Sequence, residues 1–167
     1  MPGSSLWRNG PDVEHLLQLL STDRPWGGRI AVDRVANIVG DDAPRGILFG
    51  GCLSVLSGLI GTPYLPTSLE GHILFLEDAH ESAARVLRFW NQWLDSGLLD
   101  GVSAVVLGCF TELFGEGDED WLVARLAERC AIPLYQSRDF GHVTPNYPLV
   151  IGSEARITNG SLSWTLA

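Results

Sequence analysis

Two neighbouring acids, Glu77 and Asp78, are the first residues of this sequence whose types and positions suggest chemistry. They follow directly on the apolar run ILFL, where a carboxylate has part of its surroundings apolar. Neighbouring residues of an extended segment point to opposite sides. We therefore expect at most one of the two to cap the helix that follows, where a negative charge contributes about 0.3–1 kcal/mol. The other faces elsewhere, and it is a candidate for a functional role, with a purely structural role as the alternative.

His142 is the second candidate, in the segment SRDFGHVTPN. Histidine suits proton transfer near neutral pH, and the preceding Gly141 lets the backbone present the ring from a loop. The structural alternative is a solvated loop histidine. The remaining three fit structural roles, with His15 and His80 predicted on helix surfaces and His72 at the start of a strand.

Glu77 and His142 together suit the orienter and the base of a hydrolytic triad. They are 65 residues apart, but both are predicted at strand ends. In such a triad the carboxylate fixes the imidazole tautomer while the histidine takes a proton from a nucleophile. The nucleophile is missing, because the sequence contains no G-x-S-x-G elbow.

Two further segments lie at predicted strand ends, and open α/β sheets bind ligands beyond the carboxyl ends of their strands. They are Gly50-Gly51-Cys52 and Gly108-Cys109 with Thr111-Glu112.

The elements that must position these residues alternate between strand and helix. Residues 11–20 predict a short helix capped by Asp12, and GRIAVDRVANIVG predicts one or two strands. RGILFGG then predicts a strand and a tight glycine turn, followed by a helix carrying Leu53, Leu56, Leu59 and Ile60.

HILFLED, VSAVVLGCF and IPLYQ are predicted strands, separated by the helices of residues 81–97 and 119–130. A β, α, β, α, β order requires an α/β fold with a partly parallel sheet. Asn159-Gly160 predicts a C-terminal hairpin.

The composition excludes several classes of protein. The chain has 167 residues, enough for one domain, and 11 Lys+Arg against 20 Asp+Glu give a net charge of −9, which argues against nucleic acid and anionic membrane as partners. The three cysteines, Cys52, Cys109 and Cys130, have no C-x-x-C spacing, so no metal site is indicated and a cytoplasmic location is expected. Residues 46–69 lack charge, but glycines and prolines interrupt them too often for a membrane span.

Four segments resemble the C-terminal domain of the LD-carboxypeptidases, also called muramoyl-tetrapeptide carboxypeptidases, a family of serine peptidases. The segments are ILFGGCLSVLSGLIGTPYLP, HILFLEDAHE, LDSGLLDGVSAVVLGCF and FGHVTPNYPLVIGSEARI. The resemblance runs from about Gly27 to the C-terminus. It implies a swivelling ββα-type domain with a mixed, partly parallel sheet flanked by helices.

The resemblance also implies a function. Members remove terminal D-alanine from peptidoglycan-derived tetrapeptides in the bacterial cytoplasm during wall recycling, need no cofactor and are commonly homodimers, and close relatives hydrolyse a microcin. In the family's Ser-His-Glu triad, the Glu corresponds to Glu77 and the His to His142. The Ser belongs to an N-terminal domain that this chain lacks. Residues 1–26 are then the remnant of an interdomain segment and residues 27–167 the C-terminal domain, so we expect a truncated gene product, a fragment or an isolated domain that is inactive alone.

One departure from the family pattern concerns Cys52, which stands where the family's G-G-N-L has Asn. Gly51 and Cys52 are therefore candidate substrate-binding residues whose polar contacts differ here. A thiolate at a helix N-terminus is favoured, which raises the hypothesis of a Cys52-His142-Glu77 hydrolase, against a small buried apolar residue as the alternative. A different class also remains open: a non-catalytic module that docks another chain.

Overall fold

A computed structural model describes residues 26–35 and 43–166, together with Val13, Glu14, Leu16, Leu17 and Leu20. Those five residues are helical, in agreement with the first predicted helix. The rest of that helix, including Asp12 and His15, and the end of the segment GRIAVDRVANIVG lie outside the described residues.

Eight described strands form one mixed sheet. They are β1 (Trp26–Ala31), β2 (Asp33–Arg34), β3 (Arg45–Cys52), β4 (His72–Ala79), β5 (Ala104–Thr111), β6 (Leu134–Gly141), β7 (Glu154–Thr158) and β8 (Ser161–Leu166). Their order across the sheet is β1-β8-β7-β3-β4-β5-β6-β2. Strands β3 to β6 pair in parallel and the flanking strands pair antiparallel, which confirms the predicted α/β class with a mixed, partly parallel sheet.

The sheet curls until it is nearly a barrel. Its two edge strands, β1 and β2, are consecutive in the chain and are separated by Val32 alone. The amide of Val32 donates to the carbonyl of Gly160 and that of Val35 donates to the carbonyl of Leu134, so the chain crosses from one edge of the sheet to the other. Closure of this kind protects strand edges that would otherwise be open to pairing.

The predicted hairpin joins β7 and β8. Thr158 pairs with Ser161, and Asn159 and Gly160 between them both have positive φ, as a two-residue type I′ turn requires.

Three described helices lie beside the parallel strands: α1 (Leu53–Ser57), α2 (Ala83–Asp95) and α3 (Glu119–Glu128). Helix α1 is shorter than predicted, because Gly58 ends it and Leu59 and Ile60 lie in the following turn. Helix α2 begins at the N-cap Ser82 and stops before Gly97, whose φ is +76°, as predicted. The buried indole of Trp93 donates to Ser57 Oγ at 2.8 Å and joins α2 to α1.

The predicted glycine turn before α1 is wrong. Gly50 and Gly51 belong to β3, with φ of +156° and +145°. A Cβ at Gly50 would stand 1.8 Å from the carbonyl oxygen of Phe75, so β3 and β4 approach each other too closely there for any side chain. The two glycines thus let the strand run on to Cys52, beside Glu77.

Two cores lie on the two faces of the sheet. Leu74 and Leu76 point to the face covered by helices, whereas Ile73 and Phe75 point to the barrel interior. This alternation along β4 sets the opposite directions of the two acids that follow. Among the described residues, no helix is long and apolar enough to cross a membrane.

Candidate active site

The centre of the candidate site is a hydrogen bond between Glu77 and His142. His142 Nδ1 lies 2.7 Å from Glu77 Oε2. The Glu77 side chain is 11% exposed and the His142 side chain 52% exposed, so the carboxylate is held below a ring that faces solvent. The structure therefore brings together the two residues predicted to form the pair.

Glu77 is positioned by an irregularity near the end of β4. Its neighbours Leu76 and Asp78 pair with Leu107 and Phe110 of β5, so the register between the strands shifts at Glu77. On its other side Glu77 pairs with Cys52 of β3. Bulges of this kind are used near active sites to re-aim a side chain.

His142 follows β6 directly, and Gly141 makes its approach possible. Gly141 has φ of +122° and pairs with Cys109, where a Cβ would come within 3.0 Å of the Cys109 carbonyl oxygen. The amide of Gly141 donates to Asn146 Oδ1 at 3.3 Å. Strand β5 separates β4 from β6, so the ring reaches across the end of β5 to meet Glu77.

Burial raises the pKa of the Glu77 carboxyl above its ordinary value. The hydrogen bond from His142 and the charge of that ring act in the opposite direction, while the neighbouring Asp78 raises the pKa further. A carboxylate in apolar surroundings is stabilised by the imidazolium that forms when His142 takes a proton. The arrangement suits an orienter and a general base.

Asp78 points the other way and caps a helix, though not the helix that was predicted. Its carboxylate accepts from the Ser54 amide at 2.8 Å and from Ser54 Oγ at 3.0 Å, at the start of α1. The following helix, α2, is capped by Ser82 instead. Asp78 is only 1% exposed and was missed as the cap of α1, since 24 residues separate it from Ser54 and no local pattern marks the contact.

Cys52 does not carry the activated thiolate that the cysteine hypothesis requires. Burial raises the pKa of its thiol, and the charge of Asp78 raises it further. Its Sγ lies 3.3 Å from Ser54 Oγ and 3.4 Å from Asp78 Oδ1, so the thiol belongs to the cap of α1 rather than to His142. The expectation that the helix N-terminus favours a thiolate here is wrong, because α1 has only five residues and a carboxylate already occupies its N-terminus.

The other predicted residues have roles outside the Glu77–His142 pair. His72 starts β4, as predicted, but His80 is not on a helix surface. It follows β4 with φ of +59° and forms an exposed ion pair with Glu112, which follows β5. Gly108 lies within β5, and the Phe140 ring would be 2.4 Å from a Cβ there. Among the described residues, no three His, Cys, Asp or Glu side chains are close enough to hold a metal.

Solved structures of other proteins share this fold. The crystal structure of the muramoyltetrapeptide carboxypeptidase of Oxalobacter formigenes aligns with a TM-score of 0.75 and 27% identity, covering 93% of this chain and 54% of that one. The microcin C7 self-immunity protein, solved as a mutant with adenosine monophosphate, aligns with a TM-score of 0.67 and 25% identity, covering 88% and 44%.

The sequence comparisons identify the family. Residues 45–157 match the family model of the LD-carboxypeptidase C-terminal domain, and the chain belongs to that family. A Streptomyces coelicolor protein, by its name an inferred carboxypeptidase, is 32% identical over 122 residues, 73% of this chain and 39% of the relative. The Escherichia coli microcin C7 self-immunity protein is 30% identical over 122 residues, 71% and 35%. The chain thus spans less than half the length of these curated relatives.

Proposed function

We propose that this chain contributes the base and the orienting carboxylate of a serine LD-carboxypeptidase that releases D-alanine from peptidoglycan-derived tetrapeptides. The observation that carries the proposal is the 2.7 Å contact between His142 Nδ1 and Glu77 Oε2. With Glu77 ionised, Nδ1 carries the ring proton and Nε2 keeps a free lone pair. Nε2 is then the atom that accepts the proton of an attacking hydroxyl and later returns it to the leaving amine.

The nucleophile of this triad comes from outside the described residues. In the part of the chain that the structure describes, no serine or cysteine side chain is hydrogen-bonded to His142. The half-exposed ring faces solvent, where a serine on a second domain has access to Nε2. We propose that this second domain also completes the substrate pocket together with Gly51 and Cys52. The complete enzyme is proposed to be a homodimer that acts in cytoplasmic wall recycling.

A fusion enzyme tests the proposal. The N-terminal part of the Oxalobacter formigenes enzyme, joined to this chain in place of its own C-terminal part, is expected to release D-alanine from an LD-tetrapeptide. His142→Ala and Glu77→Gln should each lower kcat by about 10³–10⁴-fold. His72→Gln, a histidine at the opposite end of β4, is the matched control and should leave kcat unchanged. A folded fusion whose activity survives His142→Ala would contradict the proposal.

A second substrate class is favoured by the microcin immunity relatives. The same proton transfers apply to a microcin-type peptide, so the fusion should be offered both substrates. If the fusion hydrolyses neither, yet this chain binds a separate partner through the strand ends around His142, the domain is a non-catalytic docking module.

A further inference from the structure

A row of arginines crosses the antiparallel half of the sheet, on the side opposite the barrel interior. Arg45 of β3 pairs with Arg156 of β7, Arg156 pairs with Ser163 of β8, and Ser163 pairs with Arg29 of β1. All three arginines are exposed. At about 4.8 Å per strand, the row extends over roughly 14 Å.

The row carries an electrostatic cost. Like charges directly opposite each other on neighbouring strands are destabilising, and Arg45 and Arg156 are such a pair. Within the described part of the chain, Arg29, Arg45 and Arg156 form no ion pair, although five other arginine contacts with acids are made elsewhere. Unpaired like charges held side by side are typical of a surface that binds the opposite charge.

The surroundings of the row form an open groove of about 740 Å³ that offers donors. Its lining includes the three arginines and one acid, Glu154. Gly27 of β1, next to Thr165 in the register, places no side chain in the groove. None of the three described helices contains a residue that lines it.

We propose that the Arg45-Arg156-Arg29 row docks an acidic, extended peptide segment of a partner protein. Acidic side chains at positions i, i+2 and i+4 of an extended segment span about 13–14 Å, the length of the row. All 11 cationic residues of the chain are arginines, whose planar fork matches carboxylates. A second copy docking by this same face would set arginine against arginine, and the remaining eight arginines against 20 acids make the rest of the chain repel a long polyanion such as nucleic acid.

Titration of the ¹⁵N-labelled chain with the peptide Glu-Ser-Glu-Ser-Glu at low salt tests the proposal. Amide signals of β1, β7 and β8 should shift, Arg156→Gln should weaken binding by about fivefold, and the peptide Gln-Ser-Gln-Ser-Gln should not bind. Arg88→Gln, which removes an exposed charge from α2, is the matched control and should bind as the unchanged chain does. Arg156→Gln should also raise the melting temperature, because it relieves the repulsion with Arg45, whereas a purely structural arginine would lower it.

Four outcomes would overturn the proposal. They are equal binding of the Glu and Gln peptides, equal losses in Arg156→Gln and Arg88→Gln, tighter binding of polyphosphate or single-stranded DNA than of the acidic peptide, and dimerisation by light scattering that Arg156→Gln abolishes. The third would assign the row to phosphates and the fourth to a second copy of the chain. None of these results depends on the peptidase activity.

Discussion

Glu77 and Asp78 are adjacent carboxylates with different roles, because the extended backbone sends their side chains to opposite faces of the sheet. Glu77 meets His142, and Asp78 meets the start of α1. At the scale of residues, the site is defined by this division. Each acid gives a prediction of its own.

The pKa of Glu77 predicts how stability depends on pH. Burial raises this pKa above 4.5, so the folded chain keeps the proton of Glu77 at pH values where the unfolded chain has lost it. The state that binds more protons is favoured at low pH, so this carboxyl lowers the free energy of unfolding as the pH rises from 4.5 through the raised value. Glu77→Gln removes that loss.

The measurement is urea unfolding of the unchanged chain and of Glu77→Gln from about pH 4 to about pH 7. The free energy of unfolding of the variant, minus that of the unchanged chain, should become more positive as the pH rises. A difference that is constant or falls would show that burial does not dominate the ionisation of Glu77.

Asp78 predicts a stability loss larger than that of an ordinary cap. Asp78→Ala leaves the Ser54 amide and hydroxyl without their acceptor at a half-buried site, which should cost about 2–3 kcal/mol. Asp118→Ala is the matched control, because Asp118 accepts only the Trp121 amide at the exposed start of α3, and should cost about 1 kcal/mol. Equal losses in urea unfolding would mean that Asp78 is an ordinary cap.

At the scale of elements, the site depends on strand ends that depart from regular geometry. The register shifts in β4 and β5, and Gly141 at the end of β6 has positive φ. These irregularities bring His142 across β5 to Glu77.

Gly141→Ala should damage both the fold and the site. A Cβ would strain the backbone at φ of +122° and press on Cys109, for a loss of about 2 kcal/mol, and would displace His142. Gly152→Ala also has positive φ but would meet no atom within 4 Å, so it should lower stability less and leave activity of the fusion enzyme unchanged. If both variants are equally active, Gly141 does not position His142.

The sequence predicted the elements better than their ends. The apolar run before Glu77 and the Asn159-Gly160 turn are local signals, and both elements form as expected. The prediction of a turn at Gly50 and Gly51 was wrong because a distant contact decides their conformation. Gly50 allows β3 to lie close to Phe75 of β4, which is 25 residues away along the chain. The cap of α1 and the closure of the sheet at Val32 were missed for the same reason: they depend on pairing between distant segments.

At the scale of the whole molecule, the described residues fold around well-packed cores but leave the candidate site without a nucleophile. The described residues form two cores and a nearly closed sheet, yet they offer His142 an orienter and no nucleophile. We expect the isolated chain to release no D-alanine from an LD-tetrapeptide, because a triad without its serine has lost covalent catalysis. Release by a preparation free of other peptidases would contradict this expectation.

The central claim, that Glu77 holds His142 ready as a base, is tested most directly by the tautomer of the His142 ring. A long-range ¹H–¹⁵N spectrum of the chain, at a pH where the imidazole is neutral, should show the proton on Nδ1 and none on Nε2. Glu77→Gln should relax this preference and place part of the population in the Nε2–H tautomer. A ring that carries its proton on Nε2 in the unchanged chain, with no change in Glu77→Gln, would contradict the account.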